Sequence, residues 1–433
     1  MPNGSIHEDG DQVRQINFKV KVDDREPLIV KGYHGSYENN VYISLWDLAA
    51  AVDETDKCFN IVYNRYEDTF FLEKGKKYLV EGDENFPFET ENDHFVALSM
   101  DKTYMDGREV RFRYYRRPGT YDIFMKLVDI GLYFDIKIDY GDIEELIINT
   151  KENFVIDMDL IKENGYFDYI HSAFLANLTT DEVLFERNAD VQTQLASTSK
   201  LMTLLLALEA IKEGKIKYKD EFAVTQEVVD CATNEDGIFG EYMGLGVKMT
   251  VEDILYAFML NSANECGTFI AQIISGSEEA FVKRMNERAK ELGFENARFF
   301  NPHGLPMFDR HQITSKQQNM MSARELYKLS KYLLDNYYKE VTKITSTKTK
   351  KLLSLSAFAE NTNQLLYNYN NCIGLKTGTT FRAGTALVAA LKVRIKGKEN
   401  ILLSIMLGGE NAMERYEKST VLLEYAKMYY GLR

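Results

Sequence analysis

Cysteine is scarce in this 433-residue chain, which has only four, and no two of them form a CxxC pair. So few cysteines exclude a disulfide framework of the kind that stabilises small secreted domains. The six histidines never stand at a metal-ligand spacing such as HxxxH, so we predict neither a metal site nor a cofactor. The best apolar run, residues 201–211, is interrupted by Glu209 and is too short for a membrane helix.

An excess of positive charge is also missing, since 52 basic side chains face 66 acidic ones and the net charge is −14. Residues 1–150 hold 18 basic and 30 acidic side chains, whereas residues 151–433 hold 34 and 36. A nucleic-acid partner would need a basic face, so the composition argues against one. The uneven charge indicates two modules, and a length of 433 residues allows for them.

The first part of the chain alternates short strand-like runs with polar turns. The clearest strand, residues 16–22, alternates apolar and polar side chains over seven positions. Two helix-like stretches, residues 44–52 and 121–132, interrupt the strands. We therefore predict a flexible tail (1–13), a small α+β module (14–150), a connector (151–167) and a larger second module (168–433).

The second module begins and ends with hairpin-like patterns and has helical patterns between them. Residues 170–186 read as one hairpin and residues 385–407 as the last one. A helical run from Thr198 to about Glu213 follows the first hairpin, and Thr250 opens another helix with a capping box. Strands at both ends with helices between them predict an α/β (α+β) fold in which helices cover one sheet.

Three short motifs in this module carry chemistry: Ser197-Thr-Ser-Lys200, Ser262-Ala-Asn264 and Lys376-Thr-Gly378. A serine hydroxyl is a poor nucleophile at neutral pH and needs a base beside it. Three residues along a helix place Ser197 and Lys200 on one face. Lys200 can act as that base only when neutral, which burial and a second cation would favour.

The other motif residues suit the remaining tasks of acyl transfer. Ser262 can pass the proton to the leaving amine, and the amide of Asn264 can hold both the substrate and Lys200. Lys376 and Thr377 can bind a substrate carboxylate, and Gly378 lets a substrate backbone lie close to the strand edge. The predicted substrate-binding set is completed by two residues that follow this motif, Thr379 and Arg382.

Residues 170–408 resemble the serine D-alanyl-D-alanine carboxypeptidases, which are low-molecular-mass penicillin-binding proteins. The three motifs occur in the same order as in that class of enzymes, for which the second motif is commonly Ser-Asp-Asn. The flanking segments that carry the resemblance are residues 173–177, 182–189, 196–203, 249–255, 261–264, 300–305, 322–326, 361–363, 374–378 and 383–384.

The resemblance implies an antiparallel sheet between helical layers, as in β-lactamases and DD-peptidases. It implies removal of D-alanine from peptidoglycan stem peptides that end in D-Ala-D-Ala, with Ser197 as the residue that penicillins acylate. Because such peptides are accessible outside the membrane, we expect an exported, extracytoplasmic protein. Its signal, or an attachment to membrane or wall, would lie in a segment outside this sequence.

Two features depart from that family or remain open. Some members have an arginine near the position of Thr362, so recognition of a terminal carboxylate would fall on Lys376, Thr377 and Arg382. His303, in Asn301-Pro-His-Gly304, is interpreted as a turn residue.

Residues 40–52 weakly resemble the stalk domains that are similar to the N-terminal domain of copper amine oxidases. That likeness implies a spacer or docking module and no copper site.

Three other functions remain possible at this stage. A class A-like β-lactamase would need a carboxylate to activate the deacylating water, and residues 301–305 offer none. A non-catalytic wall-binding protein could keep the fold and lose the activity. An endopeptidase that cuts peptidoglycan cross-links would use the same motif residues.

Overall fold

The computed structural model describes residues 13–35, 41–79, 97–99, 103–111, 114–116, 120–140, 145–163, 166–234, 237–306 and 317–432. All but the last residue of the predicted flexible tail lies outside these ranges. The chain divides into two compact units, residues 1–164 and 165–433. No helix in the described ranges is both long enough and apolar enough to cross a membrane.

The first unit is rich in β-strands, which form two sheets with orders β11-β12-β1-β2-β3-β10-β9-β6 and β4-β5-β7-β8. Its strands are Val13–Val22 (β1), Leu28–Gly35 (β2), Val41–Ser44 (β3), Phe59–Asn64 (β4), Thr69–Lys74 (β5), Ala97–Ser99 (β6), Thr103–Met105 (β7), Arg108–Val110 (β8), Tyr114–Arg116 (β9), Ile123–Lys126 (β10), Lys137–Tyr140 (β11) and Glu145–Asn149 (β12). Its helices are Leu45–Val52 (α1), Leu127–Phe134 (α2) and Met158–Glu163 (α3).

Local sequence patterns explain most of this unit. In β1 the apolar side chains from Ile16 to Val22 are buried and the lysines between them are exposed, which confirms the predicted strand. Helix α1 begins after Ser44, whose hydroxyl accepts a hydrogen bond from the backbone N–H of Asp47, as an N-cap does.

The predicted helix over residues 121–132 is wrong in its first half. Residues Ile123–Lys126 form β10, which pairs with β3 on one side and with β9 on the other. All four side chains of β10 are buried, and the first three are apolar, so the strand shows no alternation of apolar and polar residues. Such a segment cannot be told from a buried helix by periodicity alone, and the helix begins only at Leu127.

The second unit is built around an antiparallel sheet with the order β14-β13-β23-β22-β21. Its strands are Ser172–Asn177 (β13), Glu182–Arg187 (β14), Thr193–Gln194 (β15), Glu221–Ala223 (β16), Lys248–Thr250 (β17), Met320–Met321 (β18), Thr349–Leu352 (β19), Ala357–Glu360 (β20), Cys372–Thr380 (β21), Gly384–Ile395 (β22) and Lys398–Gly409 (β23). Its helices are Lys200–Lys212 (α4), Gln226–Thr233 (α5), Val251–Leu260 (α6), Asn264–Ser275 (α7), Glu278–Glu291 (α8), Ala323–Thr345 (α9), Leu365–Asn368 (α10) and Glu414–Tyr429 (α11), and Ala196–Ser199 is a 3-10 helix.

Helices cover both faces of this sheet. In β23, Leu403, Ile405 and Leu407 belong to a hydrophobic cluster that includes side chains of α4, α6 and α9. Leu402 and Met406, which point to the opposite face, are equally buried, and α11 packs against β22 and β23. The predicted arrangement, an antiparallel sheet between helical layers, is confirmed. Strand β21, which contains the third motif, lies at the edge of the sheet.

Candidate active site

The first motif spans the 3-10 helix and the start of α4. Ser197 lies in the 3-10 helix and is half-buried, and Lys200 is the first residue of α4 and is completely buried. Lys200 Nζ lies 2.9 Å from Ser197 Oγ. The predicted contact between nucleophile and base is therefore present in the structure.

Lys200 makes two further hydrogen bonds, to Asn264 Oδ1 at 2.8 Å and to the backbone carbonyl of His303 at 2.7 Å. Both of these oxygens can only accept. A neutral amine has two N–H groups and one lone pair, so the two N–H groups satisfy these acceptors. The lone pair is then left facing Ser197 Oγ, where it can take the hydroxyl proton.

The surroundings of Lys200 favour that neutral form. Burial of the side chain, together with the positive charge of Lys376, holds the pKa of Lys200 well below its ordinary value. The carboxylate of Glu265 acts in the opposite direction. Glu265 is itself buried, its Oε1 accepts hydrogen bonds from the backbone N–H groups of Ile238 and Phe239, and burial raises its pKa.

Ser262 is placed by an unusual backbone conformation between α6 and α7. Its φ angle is +64°, in the left-handed region that non-glycine residues seldom adopt. The hydroxyl oxygen is buried and makes no hydrogen bond in the described structure. A buried polar atom without a partner is costly, so Ser262 presents a hydroxyl that is available to a bound substrate.

The third motif lies against the nucleophile. A Cβ atom added to Gly378 would lie 3.0 Å from Ser197 N and 3.1 Å from Leu195 O. Because Gly378 has no side chain, β21 can pack closely on the 3-10 helix. The prediction was that this glycine lets a substrate backbone approach the strand edge. Lys376 is buried, and its Nζ donates a hydrogen bond to the carbonyl of Thr377 at 3.1 Å.

Lys376 also has a strongly altered acidity. Burial and the positive charge of Arg415 lower the pKa of Lys376 to about 7. Near neutral pH this lysine therefore exists in both charged and neutral forms. A group of this kind in a cleft is a candidate for binding or proton transfer.

The side chain of Arg415, a residue of α11 that belongs to none of the three motifs, reaches the end of β21. Its Nη1 donates hydrogen bonds to the carbonyl of Gly378 at 3.0 Å and to Thr379 Oγ1 at 2.6 Å. Arg382, the arginine that we predicted for substrate binding, lies instead in the turn that joins β21 to β22. Arg415 was missed because it is in α11, far from the motif in sequence.

The Asn301-Pro-His-Gly304 turn packs against the segment that contains the nucleophile, Ser197. Asn301 Oδ1 accepts hydrogen bonds from the backbone N–H groups of His303 and Gly304 at 3.2 and 2.6 Å. A Cβ atom on Gly304 would lie 2.1 Å from the carbonyl oxygen of Ala196, so only glycine fits there. Burial and the charge of Lys200 lower the pKa of the His303 imidazole to about 3. The contribution of His303 is its backbone carbonyl, which no sequence pattern reveals.

Among the residues that the structure describes, no group of three or more His, Cys, Asp and Glu side chains is arranged to hold a metal ion. The four cysteines, Cys58, Cys231, Cys266 and Cys372, are free thiols. Burial raises the pKa values of Cys231 and Cys372 to about 11 and about 12, so both are unreactive thiols at neutral pH.

Comparisons with known proteins agree with this geometry. The family profile described as D-alanyl-D-alanine carboxypeptidase matches residues 169–409. The D-alanyl-D-alanine carboxypeptidase DacF of Bacillus subtilis is 34% identical over 262 residues, which cover 60% of this chain and 62% of that protein. The D-alanyl-D-alanine endopeptidase of Escherichia coli is 30% identical over 226 residues, covering 50% of this chain and 65% of that protein. The chain thus spans less than two thirds of the length of these curated relatives.

A solved structure shows the same fold. Penicillin-binding protein D2 from Listeria monocytogenes, in its ampicillin-bound form, aligns with a TM-score of 0.52 and 26% sequence identity. The alignment covers 59% of this chain and 96% of that one.

Proposed function

Because this chain belongs to the D-alanyl-D-alanine carboxypeptidase family, we propose that it removes the terminal D-alanine from peptidoglycan stem peptides ending in D-Ala-D-Ala. Ser197 is the nucleophile and Lys200 is its base. The observation that carries this proposal is the hydrogen bond between Lys200 and Ser197, made by a buried lysine whose other two partners are neutral oxygens.

The first step forms an ester on Ser197. Its Oγ attacks the carbonyl carbon of the penultimate D-alanine while its proton moves to Lys200 Nζ. The peptide C–N bond then breaks, and Lys200 Nζ returns the proton through the Ser262 hydroxyl to the leaving amine of the last D-alanine. In the part of the chain that the structure describes, this buried hydroxyl makes no hydrogen bond. Water hydrolyses the ester in the second step and releases the shortened stem and the free serine.

The cations and hydroxyls around β21 suit a terminal carboxylate. Lys376, Thr377 and Thr379 line this strand, and Arg415 reaches it from α11. A guanidinium pairs well with carboxylates, so we assign to Arg415 the role that we predicted for Arg382. Asn264, which holds Lys200, also offers its amide to the substrate backbone.

We propose that penicillins acylate the same serine, a proposal supported by the likeness to penicillin-binding protein D2, whose structure is of an ampicillin-bound form. Peptidoglycan stems occur outside the cytoplasmic membrane, and we therefore propose that the protein acts there. For residues 14–150 we propose an accessory spacer or docking role, separate from the chemistry.

The test is release of D-alanine from a free pentapeptide stem and from a cross-linked dimer, by the parent protein and by Ser197→Ala. We expect release from the free stem that is absent in the variant. Cleavage of the dimer alone would indicate an endopeptidase. A parent protein that binds either peptide and cleaves neither would be a non-catalytic wall-binding protein.

A further inference from the structure

Thr362 lies between the second and the third motif and is fixed on several sides. Its backbone N–H donates to the carbonyl of Leu260, two residues before Ser262, at 3.2 Å. Its own carbonyl accepts a hydrogen bond from Tyr416 Oη at 2.6 Å. Its Oγ1 lies 2.5 Å from Thr377 Oγ1 in β21. This residue therefore connects the end of α6 to the strand of the third motif.

Either threonine can be the donor in the hydrogen bond between them. The hydroxyl proton of Thr362 has two acceptors within reach, Thr377 Oγ1 at 2.5 Å and the carbonyl of Leu260 at 3.4 Å. When a bound ligand accepts the Thr377 proton, Thr362 can turn from the Leu260 carbonyl and donate to Thr377 Oγ1, a distance at which hydrogen bonds between hydroxyl oxygens are strong.

Two cationic side chains near the third motif each donate hydrogen bonds to protein oxygens. Lys376 Nζ donates to the carbonyl of Thr377, and Arg415 Nη1 donates to Gly378 and Thr379. The Thr377 hydroxyl is a further donor for a substrate, because Thr362 can supply the hydrogen bond between the two threonines when the Thr377 proton is used. A carboxylate is the acceptor that gains most from such a donor, because hydrogen bonds to charged acceptors are about twice as strong as neutral ones.

We propose that Thr362 is a positioning residue that determines specificity: by donating to Thr377, it directs the Thr377 hydroxyl toward the terminal carboxylate of the substrate. Thr362 thus favours peptides with a free terminal carboxylate over the same peptides with a terminal amide. The proposal rests on the proposed function for the identity of the ligand.

Binding to a protein that cannot react tests the proposal. In the Ser197→Ala background, the dissociation constants of a diacetyl-L-Lys-D-Ala-D-Ala peptide and of its C-terminal amide would be measured by calorimetry. Removing one hydrogen bond to the acid predicts an affinity loss of about fivefold in Thr362→Val, with less than a twofold change for the amide. Thr362→Ser keeps the hydroxyl and should keep the parent's preference.

The matched control is Thr342→Val, which removes a hydroxyl that donates to the carbonyl of Tyr338 within α9. It should leave the ratio of acid to amide affinity unchanged. Two results would contradict the proposal: equal affinities of the Ser197→Ala protein for acid and amide, or an unchanged ratio in Thr362→Val. Both can be seen whether or not the parent protein releases D-alanine, so failure of the proposed function is a separate outcome.

Discussion

One partly buried lysine of the first unit and two fully buried lysines of the second have different kinds of partner. In the first unit, Lys31 lies 3.6 Å from the carboxylates of both Asp47 and Asp122, and Asp122 is fully buried. In the second unit, Lys200 and Lys376 are almost completely buried and make their hydrogen bonds to neutral oxygens.

The partners of a lysine determine whether it mainly stabilises the fold or can take part in catalysis. A lysine paired with carboxylates helps to hold neighbouring elements together. A lysine buried without such a partner costs stability and has a lowered pKa, which is what a general base near neutral pH requires. We therefore expect Lys200 and Lys376 to lower the stability of the second unit, as residues of catalytic sites commonly do.

Replacing Lys200 and replacing Lys31 should differ most in their effect on the rate at which benzylpenicillin acylates the protein. We expect Lys200→Met to lower the rate at which benzylpenicillin acylates Ser197 by about 10³-fold, because the base that takes the serine proton is lost. Lys31→Met should acylate at the parent rate. The measurement is adduct formation followed by intact mass. A Lys200→Met protein within tenfold of the parent would show that Lys200 is not the base.

A second contrast compares two glycines with positive φ. Gly304 has a φ of +96° and would place a Cβ 2.1 Å from Ala196 O, whereas Gly107 in the first unit has a φ of +76° and no atom within 4 Å of that position. Gly304→Ala should lower the free energy of unfolding by about 3 kcal/mol, and Gly107→Ala by about 1 kcal/mol. Urea unfolding of each unit would measure both. Equal losses would mean that the turn beneath Ser197 tolerates a side chain.

Replacing Lys376 and replacing Lys31 should change the stability of their units in opposite directions. Lys376→Met removes a buried, unpaired amine and should raise the stability of the second unit by about 2 kcal/mol at pH 6. Lys31→Met leaves the buried Asp122 carboxylate without its cation and should lower the stability of the first unit by about 2 kcal/mol. Thermal unfolding at pH 6 would check both signs. Destabilisation by Lys376→Met would contradict the account.

The smallest expected effect is the dependence of kcat/KM on pH. Burial and the charge of Arg415 lower the pKa of Lys376 to about 7, so this lysine is cationic below that pH and neutral above it. Since the cation attracts the substrate carboxylate, kcat/KM for a peptide with a free carboxylate should fall above pH 7, by at most tenfold per pH unit. The amide of the same peptide should show a shallower decline. Identical profiles for the two peptides would exclude Lys376 from carboxylate binding.

The sequence was sufficient to predict what depends on local chemistry. Thr250 caps its helix as predicted, because the interaction involves residues only three positions apart, but the predicted capping box is not completed, since the Asp253 carboxylate accepts a hydrogen bond from the backbone N–H of Ser354. The three motifs could be found because each is a short segment of fixed composition. The structure brings Ser197, Lys200 and Asn264 into direct contact, whereas Ser262 has no hydrogen bond to any of them.

Features that depend on distant parts of the chain could not be predicted. Arg415 reaches β21 from a helix that begins more than thirty residues later, and nothing in its neighbourhood in sequence indicates this. His303 acts through a backbone carbonyl, which every residue has. The residues of β10 were assigned to a helix because a strand buried on both faces loses its alternation.

The central claim is that Ser197 is an activated nucleophile, and the most direct measurement is intact mass after incubation with benzylpenicillin, with Ser197→Ala in parallel. The account predicts a stable adduct of one penicillin on the parent protein, located at Ser197 by peptide mapping, and none on the variant. An adduct that persists in Ser197→Ala, or a parent protein that neither binds nor consumes the drug, would contradict it. Rapid consumption of the drug without an adduct would instead indicate a β-lactamase.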